Sequence, residues 1–295
     1  LVANGTPAVD DGKTLTVSTA VGNIVVTIST VANAWSVATG SELSAALSAS
    51  NAAPSSILCR PRLYDLGRGK GSSTPTGNGR LHSRRYGSNR RTITKHPGQV
   101  SMPRSVNTCS RVYSTQYLTI DSWHFYVDDP TMTEEMLISG NDGNGPVRGL
   151  YITNCLIDSP DIPLASLTDP TPWGAGGYAG ALNYAFALYT SGGGEWDTQV
   201  VGCTFKNVYW AGNYTVRGNF KFNNNVVDTA YFDLVRLAGA TPSWTGTVPD
   251  NGEAKEFMGN TIMNGFGLQE EMSTSAPHVD GTQFIKGTIA NFLWW

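Results

Sequence analysis

Asp233, Asp280, Glu271, Arg236 and His278 are the residues of this 295-residue sequence whose types and spacing best suit catalysis. Two stretches align, Asp233-Leu-Val-Arg-Leu-Ala-Gly239 and Asp280-Gly-Thr-Gln-Phe-Ile-Lys286. If both are strands whose Val235, Leu237, Thr282 and Phe284 face inward, the period of two puts Arg236 and Gln283 outward on one face. Asp233 and Asp280 then stack at the corner where the strands begin, and Glu270, Glu271 and His278 sit on an intervening stretch that could fold over the same face. Two carboxylates can split a glycosidic bond by hydrolysis, one protonating the leaving oxygen and the other acting as base or nucleophile. Asp233 with Asp280 or Glu271 suits that plan. Elimination needs a base and a cation that neutralises a neighbouring carboxylate, and Arg236 with His278 suits that one. Each residue also has a plainer reading. Corner aspartates commonly bond turn amides, Glu270 and Glu271 are solvated loop charges, and His278 follows Pro277 in a loop.

Aromatic residues give a second signal. Trp173, Tyr178, Tyr184, Tyr189, Trp196, Tyr209, Trp210, Tyr214 and Trp244 crowd the second half of the chain, many beside Gly or Pro rather than in apolar alternation. Exposed Trp and Tyr faces stack on sugar rings; the alternative for each is packing of its own loop. Together Trp173, Trp196, Trp210 and Trp244, with Gln283, point to a glycan groove. The turn Ser139-Gly-Asn-Asp-Gly-Asn-Gly145 could present oxygens to Ca²⁺ but lacks the acidic ligands of a defined loop. With no zinc spacing, P-loop or dinucleotide fingerprint, no metal or cofactor is expected.

Such residues need a frame, and a recurring phrase supplies one: Leu150 to Asp158, Val200 to Asn207, Phe220 to Asp228 and Phe257 to Asn264. Each copy is a short apolar alternation, a small or amide residue at a bend, and a second alternation. Anchored on Cys155, Cys203, Asn225 and Asn260, the separations are 48, 22 and 35 residues, which fits a rung of roughly 22 to 25 residues, once doubled and once carrying an insertion. A unit that cannot bury its own apolar face must stack on neighbours, so the chain reads as a solenoid of strands. Asp121, in the rung Tyr117 to Tyr126, is expected to continue the same column. Cys155 and Cys203 read as small buried residues stacked rung on rung. Only 15% of residues are charged and Gly reaches 33, a composition for short strands and tight turns rather than long helices.

Residues 1–36 read as a small β lead-in or the end of a preceding module, and 37–295 as the solenoid. Thr39 to Asn51 is the best helix, with Ser41 as N-cap and Leu43, Ala46 and Leu47 as its apolar stripe, placed to cap the open end of the stack. Residues 60–111 depart from the pattern: twelve Arg and Lys stand against the single acid Asp65, a net +11 within a chain of net −3. Apolar periodicity fades between Gly67 and Val100. A basic insertion for an anionic partner, a solvated loop and a reading-frame slip all fit. Nucleic acid is not the expected partner, because Tyr86 is nearly the only aromatic there. Pro/Gly-rich interruptions at 128–146, 160–180, 239–252 and 270–277 should leave from corners and gather on one side, where sites are built. No run is apolar enough to cross a membrane. The start at Leu1 and the apolar Phe292-Leu-Trp-Trp295 suggest a processed chain or a fragment.

The helix, the strand after it and the Asn/Cys phrase make the chain resemble the pectate-lyase-like right-handed parallel β-helices, among them the bacteriophage tailspikes, over about residues 36–295. Ser41 to Leu47 is similar to their entry helix and His278 to Phe284 to their Asp-Gly strands. The resemblance implies an all-β coil of three parallel faces and cell-surface polysaccharide as ligand. It further implies a virion tail protein working as a homotrimer beside other tail proteins. A secreted extracellular polysaccharide lyase or glycoside hydrolase, and a non-catalytic adhesin or structural virion protein, are the alternatives.

Overall fold

A computed structural model describes residues 14–19, 22–27, 34–48, 56–64, 67–68, 90–106, 109–113, 116–126, 137–140, 147–158, 186–188, 197–208, 211–216, 218–230, 235–239, 255–265, 282–285 and 292–294. Strands β1 (Thr14–Thr19) and β2 (Gly22–Thr27) form an antiparallel hairpin. The other strands build three sheets. The first holds β3 (Ala34–Val37), β4 (Ser56–Cys59), β7 (Arg91–Lys95), β10 (Leu118–Asp121), β13 (Tyr151–Thr153), β16 (Gln199–Val201), β19 (Lys221–Asn223), β22 (Lys255–Met258) and β25 (Phe292–Trp294). The second holds β5 (Leu63–Tyr64), β8 (Arg104–Val106), β11 (His124–Tyr126), β14 (Leu156–Asp158), β17 (Thr204–Val208), β20 (Val226–Ala230) and β23 (Thr261–Gly265). The third holds β6 (Gly67–Arg68), β9 (Cys109–Tyr113), β12 (Leu137–Gly140), β15 (Phe186–Leu188), β18 (Gly212–Val216), β21 (Val235–Gly239) and β24 (Thr282–Ile285). The chain visits the three sheets in turn, and within each sheet every pairing is parallel except β6 with β9. This is the parallel β-helix expected from the repeated phrase.

Period-two alternation puts one column of each sheet inside. In the first sheet Trp35, Ile57, Ile93, Ile120, Ile152, Val200, Phe222, Phe257 and Trp294 lie in register. Of these, Ile57 through Phe257 are buried, each contributing about 1.5–3 kcal/mol. The column turns aromatic toward its end, where the Phe222 and Phe257 rings stack at 5.1 Å.

The anchors of the phrase are the bends between the first and second sheets. Each bend has two residues: one with positive φ, then one whose side chain turns inward. In the bends of the phrase the inward side chain donates to the carbonyl of the rung before, whereas Trp123 Nε1 reaches Ser105 Oγ at 3.4 Å. Cys155 Sγ reaches Ile120 O at 3.6 Å and Cys203 Sγ reaches Ile152 O at 3.6 Å. Asn225 Nδ2 reaches Val200 O at 3.0 Å and Asn260 Nδ2 reaches Phe222 O at 2.8 Å. Thiol and amide thus do one job in one slot. The amides add a second bond, accepting Cys203 N–H on Asn225 Oδ1 and Asn225 N–H on Asn260 Oδ1 at 2.9 Å each. The register His124 to Leu156 gives the slot before Cys155 to Trp123, and Asp121 pairs with Thr153 instead. Asp121 is therefore not a member of the column; it ends a strand, facing outward.

The positive-φ residue alternates in size: Asn154, Gly202, Asn224, Gly259. The alternation is steric. A Cβ on Gly202 would meet Asn154 Oδ1, and one on Gly259 would meet Asn224 Oδ1.

Helix α1 (Gly40–Ser48) caps the coil with buried Leu43, Ala46 and Leu47. Its N-cap is Thr39 rather than Ser41: Thr39 Oγ1 accepts Glu42 N–H at 3.2 Å, while Glu42 Oε2 reaches back to Ala38 N–H at 2.6 Å. The Thr-Gly-Ser-Glu spacing is that of a capping box. The helix ends on Arg91, whose Nη1 donates to Ala46 O and Leu47 O. Arg91 is wholly buried within β7, which lies between β4 and β10 in parallel register. The basic stretch therefore contains a rung, β7, β8 and β9, at 91–113. Its alternation was hidden because an arginine takes an interior position, its charge set against the carbonyl end of a helix.

Candidate functional site

Connection lengths are sharply unequal. The first and second sheets are joined by two-residue bends, apart from the expanded bend 96–103 and the early one at 60–62. The extended connections flank the third sheet: 127–136, 159–185 and 266–281 lead into it, and 69–90, 141–150, 189–198 and 240–254 lead out. The interruptions seen in the sequence fall here, although 128–146 also contains strand β12. The long connections thus all precede or follow a strand of one sheet.

On that sheet the register sets Arg111, Ile138, Ala187, Asn213, Arg236 and Gln283 in one column. Arg236 is paired with Gln283, as the aligned stretches implied. The column holds the opposite phase of the alternation from Val112, Tyr214, Val235 and Leu237, all buried. Asn213, Arg236 and Gln283 thus stand on consecutive rungs of the third sheet. Asp233, Asp280, Glu271, His278, Trp173, Trp196, Trp210 and Trp244 lie outside the described residues, as does most of the Ser139–Gly145 turn. Tyr214 does not serve as a sugar platform. It is fully buried, its hydroxyl donates to Ala211 O at 3.1 Å, and its ring packs on Phe220 and Phe222.

A second group, not anticipated from sequence, sits on the outer face of the second sheet, across strands β8, β11 and β14. Arg104 and His124 are register partners, and so are Tyr126 and Asp158. The Arg104 guanidinium lies 3.9 Å from the Tyr126 ring centroid, and the His124 and Tyr126 rings meet edge-on at 5.7 Å. His124 Nε2 is 3.9 Å from Asp158 Oδ2, too far for a hydrogen bond, and is buried without a hydrogen-bond partner among the described residues. Burial, reinforced by the Arg104 charge, pushes the His124 imidazole down to about 4. At neutral pH the ring is uncharged and keeps a lone pair for a proton. An imidazole, a guanidinium and a phenol thus lie side by side, groups able to exchange protons and hold negative charge, with the imidazole a weaker base than a free one. The signal available in the sequence was the alternation His124-Phe-Tyr126. Arg104 and Asp158 join it only through strand register.

The first sheet's outer polar groups are engaged with one another. Lys221 Nζ lies 3.0 Å from Glu256 Oε1, Asn223 Nδ2 donates to Glu256 Oε2 at 2.7 Å, and these bonds hold the Glu256 carboxyl below its usual range. Arg90 covers the Tyr151 ring at 3.5 Å and donates to Gly149 O at 2.6 Å. Among the described residues no group of three or more His, Cys, Asp or Glu could hold a metal ion.

No protein-family model matches the sequence, and no curated protein matches it. Among solved structures the chain is similar to an alginate lyase from Paenibacillus sp. str. FPU-7, at 15% identity and a TM-score of 0.32, covering 88% of this chain and 97% of that one.

Proposed function

We propose that this β-helix binds a cell-surface polysaccharide along the outer face of its third sheet. The observation behind the reading is that the long connections lead into and out of that sheet, which carries Asn213, Arg236 and Gln283 on consecutive rungs. A straight parallel sheet repeats its side chains every rung of about 4.8 Å, a spacing that suits a linear polymer better than a compact ligand. The test is binding to a panel of bacterial surface polysaccharides, followed by Arg236→Ala and Gln283→Ala. Each substitution should weaken binding about tenfold, or about 1.4 kcal/mol, without moving the melting temperature. A panel without binding, or unchanged affinity in both variants, overturns the reading.

A second reading, that the protein also cuts its ligand, is favoured by the neutral His124 beside Arg104 and Tyr126. Elimination would appear as ultraviolet absorbance of an unsaturated product, lost in His124→Ala. Hydrolysis would appear as reducing ends without that absorbance and would point back to Asp233, Asp280 and Glu271. The tailspike setting, as a homotrimer among virion tail proteins, is carried by the sequence resemblance; an SDS-resistant trimer supports it and a monomer in solution removes it.

A further inference from the structure

The expanded bend 96–103 replaces a two-residue bend and raises a loop at the junction of the first and second sheets. Beneath it is a cleft of about 600 Å³ lined by Leu58, Thr94, Lys95, Gln99, Asp121 and Ser122, among others. That volume falls within the range of small-ligand sites.

The loop is fixed at its base. His96 Nε2 bonds Ser36 Oγ at 2.9 Å, its ring also bonds the Leu58 backbone, His96 N–H reaches Cys59 O at 3.3 Å, and Gln99 N–H closes a turn on His96 O at 3.2 Å. His96 is thereby a positioning residue.

The floor is organised by Asp121. Its carboxylate accepts Thr94 Oγ1–H and Thr153 Oγ1–H at 2.8 Å, Asn154 Nδ2–H at 2.8 Å and Ser122 Oγ–H at 3.0 Å. With their protons committed to Asp121, the Thr94 and Ser122 hydroxyls have only lone pairs left to offer a ligand. Gln99 adds an amide oxygen that is buried without a partner among the described residues, a deficit that a ligand donor would relieve. Lys95 also lines the cleft and contributes donors.

We propose that this cleft is a saccharide subsite separate from the third sheet, taking a neutral, hydroxyl-rich sugar unit. Several acceptors and a lysine suit hydroxyl groups, each of which donates one bond and accepts others. The inference does not depend on polysaccharide binding by the third sheet.

The experiment is titration of the ¹⁵N-labelled full chain with methyl glucoside, methyl galactoside and methyl mannoside, and separately with sodium glucuronate and sodium galacturonate. The expected result is saturable movement of the Gln99 side-chain amide and the Ser122 backbone amide with at least one neutral glycoside. That movement should weaken at least tenfold in Gln99→Leu and in the second variant, Lys95→Ala, each checked for an unchanged melting temperature. Movement with the uronates alone would reassign the cleft to an anion held by Lys95 and overturn the proposal. Absence of movement with any probe, or movement that both variants preserve, overturns it as well. Polysaccharide affinity read through Arg236→Ala should be untouched by Gln99→Leu, so each site can fail without the other.

Discussion

Protonating His124 should destabilise the fold, and the size of the effect follows from its surroundings. The imidazole falls from an ordinary 6.5 to about 4 because it is largely buried and faces the Arg104 guanidinium, with Tyr126 beside it and Asp158 at 3.9 Å. The folded state therefore binds this proton less readily than the unfolded chain. Its contribution is intact above about pH 6.5 and is lost as pH falls toward 4. Between about pH 7 and pH 4.5 a shift of that size corresponds to somewhat over 2 kcal/mol, and partial exposure of the ring trims it to about 1–2 kcal/mol. Urea unfolding of the wild type and His124→Gln at both pH values measures it: the wild type should lose that much more stability on acidification, because glutamine has no proton to gain. A ring titration by NMR should place His124 near 4. A value at or above 6.5, or identical pH dependence in the two proteins, refutes the argument and with it a neutral base at neutral pH.

Asn225→Leu keeps the volume of the bend but strands Cys203 N–H and Val200 O; with each buried orphan costing about 1–3 kcal/mol, a total loss of about 2–5 kcal/mol is expected from urea midpoints. Gly259→Ala should cost more than an ordinary Gly→Ala change, about 2 kcal/mol or above, since it meets both a φ of 64° and the Asn224 side chain; introducing Asn224→Gly alongside should recover part of the loss. Cys155 and Cys203 are buried, and burial also raises the Cys155 thiol well above its usual range, so neither should react with a thiol reagent until denaturant is added.

The coil was legible where its chemistry repeats. Cys155, Cys203, Asn225 and Asn260 mark bends because each is small and polar enough to donate to the previous rung's carbonyl there. Alternation failed where an interior position is filled by charge: Arg91 is satisfied by the end of α1, a partner more than forty residues away that no window around Arg91 contains. The pairing of Arg236 with Gln283 was readable because two aligned stretches shared a phase. Arg104, His124, Tyr126 and Asp158 were not, because they come from three rungs and only register unites them. Tyr214 misled for the opposite reason: Gly neighbours suggest a loop, whereas Gly212 leaves the room that the buried Tyr214 ring occupies.

Each of these four bend side chains ties its rung to a carbonyl of the rung before, and this gives the coil a mechanical character. Pulled from its later end, such a molecule would peel rather than shear, surrendering one turn before the next is loaded. The turns are unequal, so the lengths released would be unequal too: about 75 Å for the 22 residues between Cys203 and Asn225, and more than twice that for the 48 between Cys155 and Cys203. The irregular spacing of one small motif would be written into the order of its extension steps.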